Sequence, residues 1–142
     1  MDTELRKSTH LEKSSPHVLD APLAALPRIA LAHLPTPLIE VPQLSRRLGV
    51  ELWIKRDDAT AGAEAGNKIR KLELLLAQAV AERSDVILTC GGVQSNHARA
   101  TALTAARLGL PSVLFLRVHD VTARLPLSGN VLLDRFAGAD IH

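Results

Sequence analysis

The chain has 142 residues, 46% of them apolar, and 17 basic against 15 acidic side chains leave a formal charge of only +2. The basic residues are scattered among acidic ones rather than gathered with aromatics, which argues against nucleic acid as a partner. No apolar run approaches the ~20 residues of a membrane-spanning helix and the start lacks a signal-peptide core, while the single cysteine, Cys90, excludes an intrachain disulfide. A cytoplasmic location and no membrane partner are therefore expected.

Residues 1–25, polar at the start and containing Ser14-Ser15-Pro16, read as a mobile leader. Residues 26–38 hold Pro27, Pro35 and Pro37 and are expected to be extended and irregular, with Ile29, Leu31 and Leu34 against something apolar. Residues 43–48 predict a short helix stopped by Gly49. Residues 51–56 alternate like a strand, placing Leu52 and Ile54 on one face.

Residues 57–66 are small, acidic and rich in helix breakers, as in a loop that passes close to a ligand. Asn67 is an expected N-cap, worth ~1 kcal/mol over alanine. The helix it opens repeats Ile69, Leu72, Leu75, Leu76, Ala79 and Val80 at the helical period, leaving Arg70, Lys71, Glu73 and Gln78 for the wet side. Lys68 stands at the mouth of this helix, where the partial positive charge of the backbone N–H groups disfavours an ammonium and favours a free amine able to build a Schiff base. Taken alone, it reads first as a solvated first-turn lysine, the commoner case.

Residues 85–90 form a short, branched apolar run, as expected for a strand buried on both faces of a parallel sheet. The turn Gly91-Gly92-Val93-Gln94-Ser95-Asn96-His97 follows, then an alanine-rich helix to Arg107, the stop Gly109 and a second buried strand over residues 112–118. That order is a β-α-β unit, with a right-handed crossover. A last helix over residues 129–137, its stop Gly138 and the start of a further strand at residues 139–142 complete the pattern. The expected fold class is α/β, an open, mostly parallel sheet with flanking helices.

Ligands of open α/β sheets bind outside the carboxyl ends of the strands, so the turn from Gly91 to His97 is the expected site. Its glycines let backbone approach a ligand, and the helix after it offers N–H groups to an anion. Ser95 has two readings, helix cap or hydroxyl beside the reacting atoms, and Asn96 and His97 each have an ordinary first-turn alternative. No dinucleotide fingerprint, phosphate-binding P-loop or paired Cys/His metal spacing is present, so nucleotide and metal sites are not expected.

Four stretches in order carry a resemblance: Leu34-Pro35-Thr36-Pro37-Leu38, Trp53-Ile54-Lys55-Arg56-Asp57-Asp58, Gly66-Asn67-Lys68 with Arg70-Lys71-Leu72-Glu73, and Cys90-Gly91-Gly92-Val93-Gln94-Ser95-Asn96-His97-Ala98-Arg99. Over residues 26–141 the chain resembles the amino-terminal half of the D-cysteine desulfhydrase and 1-aminocyclopropane-1-carboxylate deaminase family. Those enzymes depend on pyridoxal phosphate and share the tryptophan synthase beta-like fold. The resemblance implies that Lys68 forms the internal aldimine, with Asn67 beside it, that Asn96 supports the cofactor ring through its phenolic oxygen and that Lys71 approaches the phosphate. It further implies that Ser95 acts in the chemistry or, with Asn96 and His97, receives the carboxylate of a small amino acid. It also implies a homodimer in the full-length form. His97 resembles the desulfhydrase branch, whose reaction is the elimination of D-cysteine to pyruvate, sulfide and ammonia. The deaminase branch tends to carry glutamine there.

The resemblance divides the chain into a first segment of the larger domain, residues 26–56, and a smaller α/β domain with the lysine, residues 57–142. Where the family has an aromatic residue and two glycines before the lysine, this chain has Ala63-Glu64-Ala65-Gly66. A tyrosine facing the substrate and the loop holding most of the cofactor phosphate belong to the family's other half, and this chain has no tyrosine. A non-catalytic remnant that acts through association is the alternative.

Overall fold

A computed structural model describes residues 25–122 and 124–142, so residues 1–24 of the expected leader lie outside the description. In chain order the elements are β1 (Leu38–Glu40), α1 (Pro42–Leu48), β2 (Trp53–Lys55), a 3-10 turn (Asp57–Ala59), α2 (Lys68–Ala81), β3 (Ile87–Gly92), α3 (Asn96–Arg107), β4 (Ser112–Arg117), α4 (Gly129–Phe136) and β5 (Asp140–Ile141). None of these helices is long and apolar enough to cross a membrane.

Two sheets result. β1 and β2 pair antiparallel, Leu38 opposite Lys55 and Glu40 opposite Trp53. β1 begins directly after Pro37, at the end of the stretch expected to be irregular, because proline restrains the residue before it but leaves the following ones free to pair. Between the strands, α1 opens on Pro42 and stops at Gly49. Neither β1, α1 nor β2 buries a residue: Ile54 stands opposite Ile39 in the ladder, yet both remain exposed, and Leu52 is only half-buried.

The second sheet is parallel in the order β3-β4-β5, with Thr89 beside Leu114 and Leu114 beside Ile141. This is the expected α/β architecture. Burial on both faces is not observed: Leu114 and Leu116 are buried, but Leu88 is 61% and Phe115 48% exposed. The apolar cluster of Leu114 and Leu116 with Ala98, Ala102 and Val131 puts α3 and α4 on one face only, and the opposite face carries Leu88, Cys90 and Phe115 outward.

Helix α3 is the centre of the packing. Ala98, Ala102 and Ala105 are fully buried, and Ala100 joins a second cluster with Leu31, Ile69, Leu72 and Leu76. Small side chains let neighbouring elements approach α3 from several sides, and each fully buried Leu or Ile contributes roughly 1.5–3 kcal/mol. The periodicity of α2 holds for Ile69, Leu72 and Leu76, whereas Leu75 and Val80 at the edges of the stripe are exposed.

Two expectations for α2 are corrected. Glu73, assigned to the wet side, is 2% exposed. Its Oε1 accepts the backbone N–H groups of Leu31 at 3.0 Å and Ala32 at 2.9 Å, and Arg28 lies 3.6 Å from Oε2. Burial is possible because the carboxylate supplies the acceptors that the irregular segment 28–32 lacks. Asn67 is not a side-chain cap: its backbone is already helical at φ −61° and its side chain makes no capping bond. Gly66 takes that place through its carbonyl, which accepts the N–H of Ile69 at 3.3 Å.

Candidate functional site

The loop between the 3-10 turn and α2 is tied down from within. Thr60, fully buried, donates its hydroxyl to the Asp57 carbonyl and accepts the Gly66 N–H at 2.8 Å. Gly66 has φ +122°, a conformation that side chains rarely adopt, and it delivers the chain into α2 at Lys68. Glu64 turns away to pair with Arg107 at the far end of α3. The carboxylate that departs from the family pattern is therefore neutralised outside the site.

The turn after β3 is built just as closely. A Cβ on Gly91 would lie 2.5 Å from both Cβ and Oγ of Ser95, so only glycine fits beneath that serine. Ser95 is the N-cap of α3, its Oγ accepting the Ala98 N–H at 3.2 Å. The backbone N–H groups of Asn96 and His97 precede the first intrahelical bonds and remain directed out of the helix end.

Between loop and turn lies a cleft of about 410 Å³ lined by Asp57, Asp58, Ala65, Gly66, Asn67, Lys68, Asn96 and Arg99. Of the residues expected from sequence, it brings together Lys68, Asn67 and Asn96. Ser95, His97 and Lys71 are not part of its lining. His97 is nonetheless close in electrostatic terms, since burial, then Lys71, then Lys68 hold its imidazole below the usual histidine range. Its buried Nδ1 has no hydrogen-bond partner among the described residues. Ser95 flanks the cleft through its neighbour Asn96, with its cap bond formed and its own hydroxyl proton still to donate.

Both carboxylates of the cleft are already engaged. The Arg70 guanidinium, 2.7 Å from Asp57, holds that carboxyl below its usual range, and the Arg56 guanidinium does the same to Asp58. No ion pair or hydrogen bond engages the Lys68 amine among the described residues. The cleft thus offers an unpaired amine and amide groups to a ligand, with its acids neutralised internally.

Sequence reasoning missed Arg99 and Asn130. Arg99 donates to the Ala65 carbonyl at 2.7 Å and to Asn130 Oδ1 at 3.4 Å, joining the loop to α4. Asp134, one turn further along α4, is fully buried with both carboxylate oxygens unpartnered among the described residues. Burial pushes its carboxyl up to about 6, against the pull of Arg99. An arginine on the alanine-rich face of a buried helix was the available signal, since such a charge needs local partners.

The profile of the family described as "Pyridoxal-phosphate dependent enzyme" matches residues 29–142. The chain is 48% identical over 122 residues to a putative 1-aminocyclopropane-1-carboxylate deaminase of Pyrococcus abyssi, covering 86% of this chain and 36% of that one. It is 49% identical over 117 residues to a bifunctional, mitochondrial D-cysteine desulfhydrase/1-aminocyclopropane-1-carboxylate deaminase of Arabidopsis thaliana, covering 80% and 29%. A D-cysteine desulfhydrase of Salmonella paratyphi B is 47% identical, with 80% and 36% covered. Among solved structures, an ACC deaminase homologue superimposes with a TM-score of 0.77 at 44% identity, over 86% of this chain and 36% of that one. The chain spans about a third of the length of these relatives.

Proposed function

The chain belongs to the pyridoxal-phosphate dependent enzymes, and we propose that its cleft holds the cofactor through Lys68 and serves the breakdown of a small amino acid. The observation that supports this most is the unpaired Lys68 amine in a cleft whose two carboxylates are both held by arginines. The donor set fits the group: Lys68, Asn67 and Asn96 line the cleft, His97 lies within electrostatic reach of both Lys68 and Lys71, and the α3 N-terminus opens beside the cleft. Such a surface suits a phosphorylated, anionic ligand that carries an aldehyde.

When bound, pyridoxal phosphate supplies the electron sink for bond breaking at the α-carbon. The protein's own tasks are then limited. Lys68 links the cofactor and afterwards serves as the base that takes the α-proton. Asn96 supports the cofactor ring and Lys71 attracts the phosphate. Ser95, through its hydroxyl proton, and the N–H groups of Asn96 and His97 orient the substrate carboxylate. Residues 57–142 form the small domain that carries these groups, and residues 26–56 begin a larger one.

D-cysteine desulfhydration is the favoured reaction, supported by Ser95-Asn96-His97 and by the Salmonella relative. Cleavage of 1-aminocyclopropane-1-carboxylate is the sister possibility, supported by the Pyrococcus relative. A different reading, a non-catalytic unit that works through association, draws on the outward Leu38, Trp53, Ile54, Leu88 and Phe115; a monodisperse monomer on size exclusion would count against it.

The test is to add pyridoxal phosphate, record the visible spectrum, reduce with borohydride and locate the label by peptide mass. The expected result is a retained band and a label on Lys68, both lost in Lys68→Ala. A band indifferent to that substitution, or a label on another lysine, would overturn the assignment.

A further inference from the structure

Asn130, the second residue of α4, makes four hydrogen bonds across to the turn after β3 and to α3. Its N–H donates to Gln94 Oε1 at 2.7 Å, its Nδ2 donates to the Gln94 carbonyl at 2.8 Å and to Asn96 Oδ1 at 3.0 Å, and its Oδ1 accepts from Arg99 Nη1 at 3.4 Å. Two of these partners fix the direction of the whole chain of bonds. A peptide carbonyl only accepts and a guanidinium only donates, so one orientation of the Asn130 amide satisfies both. Reversing it would set oxygen against oxygen and N–H against N–H.

The consequence passes to the next residue. With Nδ2 of Asn130 directed at it, Asn96 presents Oδ1 on that side, and its NH₂ is the end left for the cleft it lines with Lys68. We propose that Asn130 is a positioning residue that sets the polarity of the Asn96 amide, so that the cleft is offered a hydrogen-bond donor and not an acceptor. This rests on the cleft being the cofactor site, where a donor matches an anionic oxygen of pyridoxal phosphate.

The backbone around Asn130 is shaped for the task. Gly129 has φ +57°, and a Cβ there would meet Gln94 Oε1 at 2.5 Å, so glycine lets the start of α4 close onto the turn. Gln94 completes the closure by donating its Nε2 to the Ser128 carbonyl at 3.3 Å. Through Arg99, which grips the Ala65 carbonyl, the same residue also steadies the loop that leads into Lys68. Both walls of the cleft are thereby referred to one asparagine.

Asn130→Asp keeps the size of the side chain and removes its ability to donate. In the chain without cofactor, ¹⁵N spectra of the Asn96 side chain, assigned with Asn96→Ser, should show an NH₂ open to water exchange in the wild type. In Asn130→Asp that NH₂ should be slowed in exchange and shifted downfield, because Asn96 turns it toward the new carboxylate. An unchanged Asn96 NH₂ overturns the proposal. With pyridoxal phosphate, Asn130→Asp should weaken binding by about tenfold or more and raise the pH at which the visible band titrates, while Asn130→Ala, which steers Asn96 neither way, falls between it and wild type. Both variants binding and titrating as wild type, with melting curves showing them folded, would likewise overturn it. A wild-type chain that forms no Lys68-dependent band refutes the cofactor reading instead, and the ¹⁵N comparison still decides the orientation of Asn96.

Discussion

The unit formed by β1, α1 and β2 and the unit formed by the parallel sheet with α2, α3 and α4 have comparable apolar content but opposite fates. In the first, Leu38, Ile39, Leu44, Leu48, Trp53 and Ile54 all remain exposed. In the second, Ile69, Leu72, Leu76, Leu114 and Val131 close into two clusters around a helix of small residues. What separates them is a partner layer: a two-stranded ribbon is marginal by itself, whereas a sheet with helices on one face has somewhere to put its side chains. Hydrophobic residues specify a strand in both places, but they stabilise only where another layer arrives.

The largest effect expected from breaking this contrast comes where the proline-rich segment is stitched to the second unit. Glu73→Ala strips Leu31 and Ala32 of the acceptor for their backbone N–H groups and should cost about 3 kcal/mol. Urea unfolding measures it, and Glu73→Gln should recover most of the loss because it keeps an acceptor. An effect of similar size and opposite sign is expected inside the second unit. Asp134 titrates at about 6 when folded and near 3.9 when unfolded, so the folded state binds the proton more tightly. Its contribution to stability is complete below about pH 4, is lost as the pH rises toward 6 and stays lost above. Asp134→Asn should therefore stabilise by about 3 kcal/mol at pH 8 and by nothing near pH 4, as thermal melts across that range will show. The smallest effect belongs to the first unit: Ile54→Ala should cost under about 0.5 kcal/mol, as for an exposed position. A cost like that of a core residue would mean that this face is covered in solution and would end the contrast.

The legibility of the sequence followed the same division. Local grammar was readable: the stops at Gly49, Gly109 and Gly138, the Ser95 cap, the β3-α3-β4 unit and the cleft placed at the carboxyl end of β3 all rest on interactions between near neighbours. What escaped depends on distant ones. Glu73 meets Leu31 across 42 residues, and Asn130 meets Gln94 across 36, and periodicity has no means of anticipating either. The exposed Leu88 and Phe115 escaped for a related reason, since a buried-strand composition states a preference and not whether a covering layer is present. Lys68, Asn67 and Asn96, named together through the family resemblance, do line one cleft, with glycine in both the loop and the turn beside it.

One contact has a consequence for how this region tolerates change. Arg99 holds the loop before Lys68 by the carbonyl of Ala65, an atom that every amino acid supplies. The grip is blind to side-chain identity, so Ala63, outside the cleft lining, is free to drift while the route of the chain is preserved, and a glutamate can settle at 64 by pairing with Arg107. Gly66 has no such freedom, because its role lies in a backbone angle and not in a bond that another residue could make. The loop thus joins a replaceable surface to a fixed hinge one residue long, and single-site variation should be accepted at the exposed Ala63 and refused at Gly66.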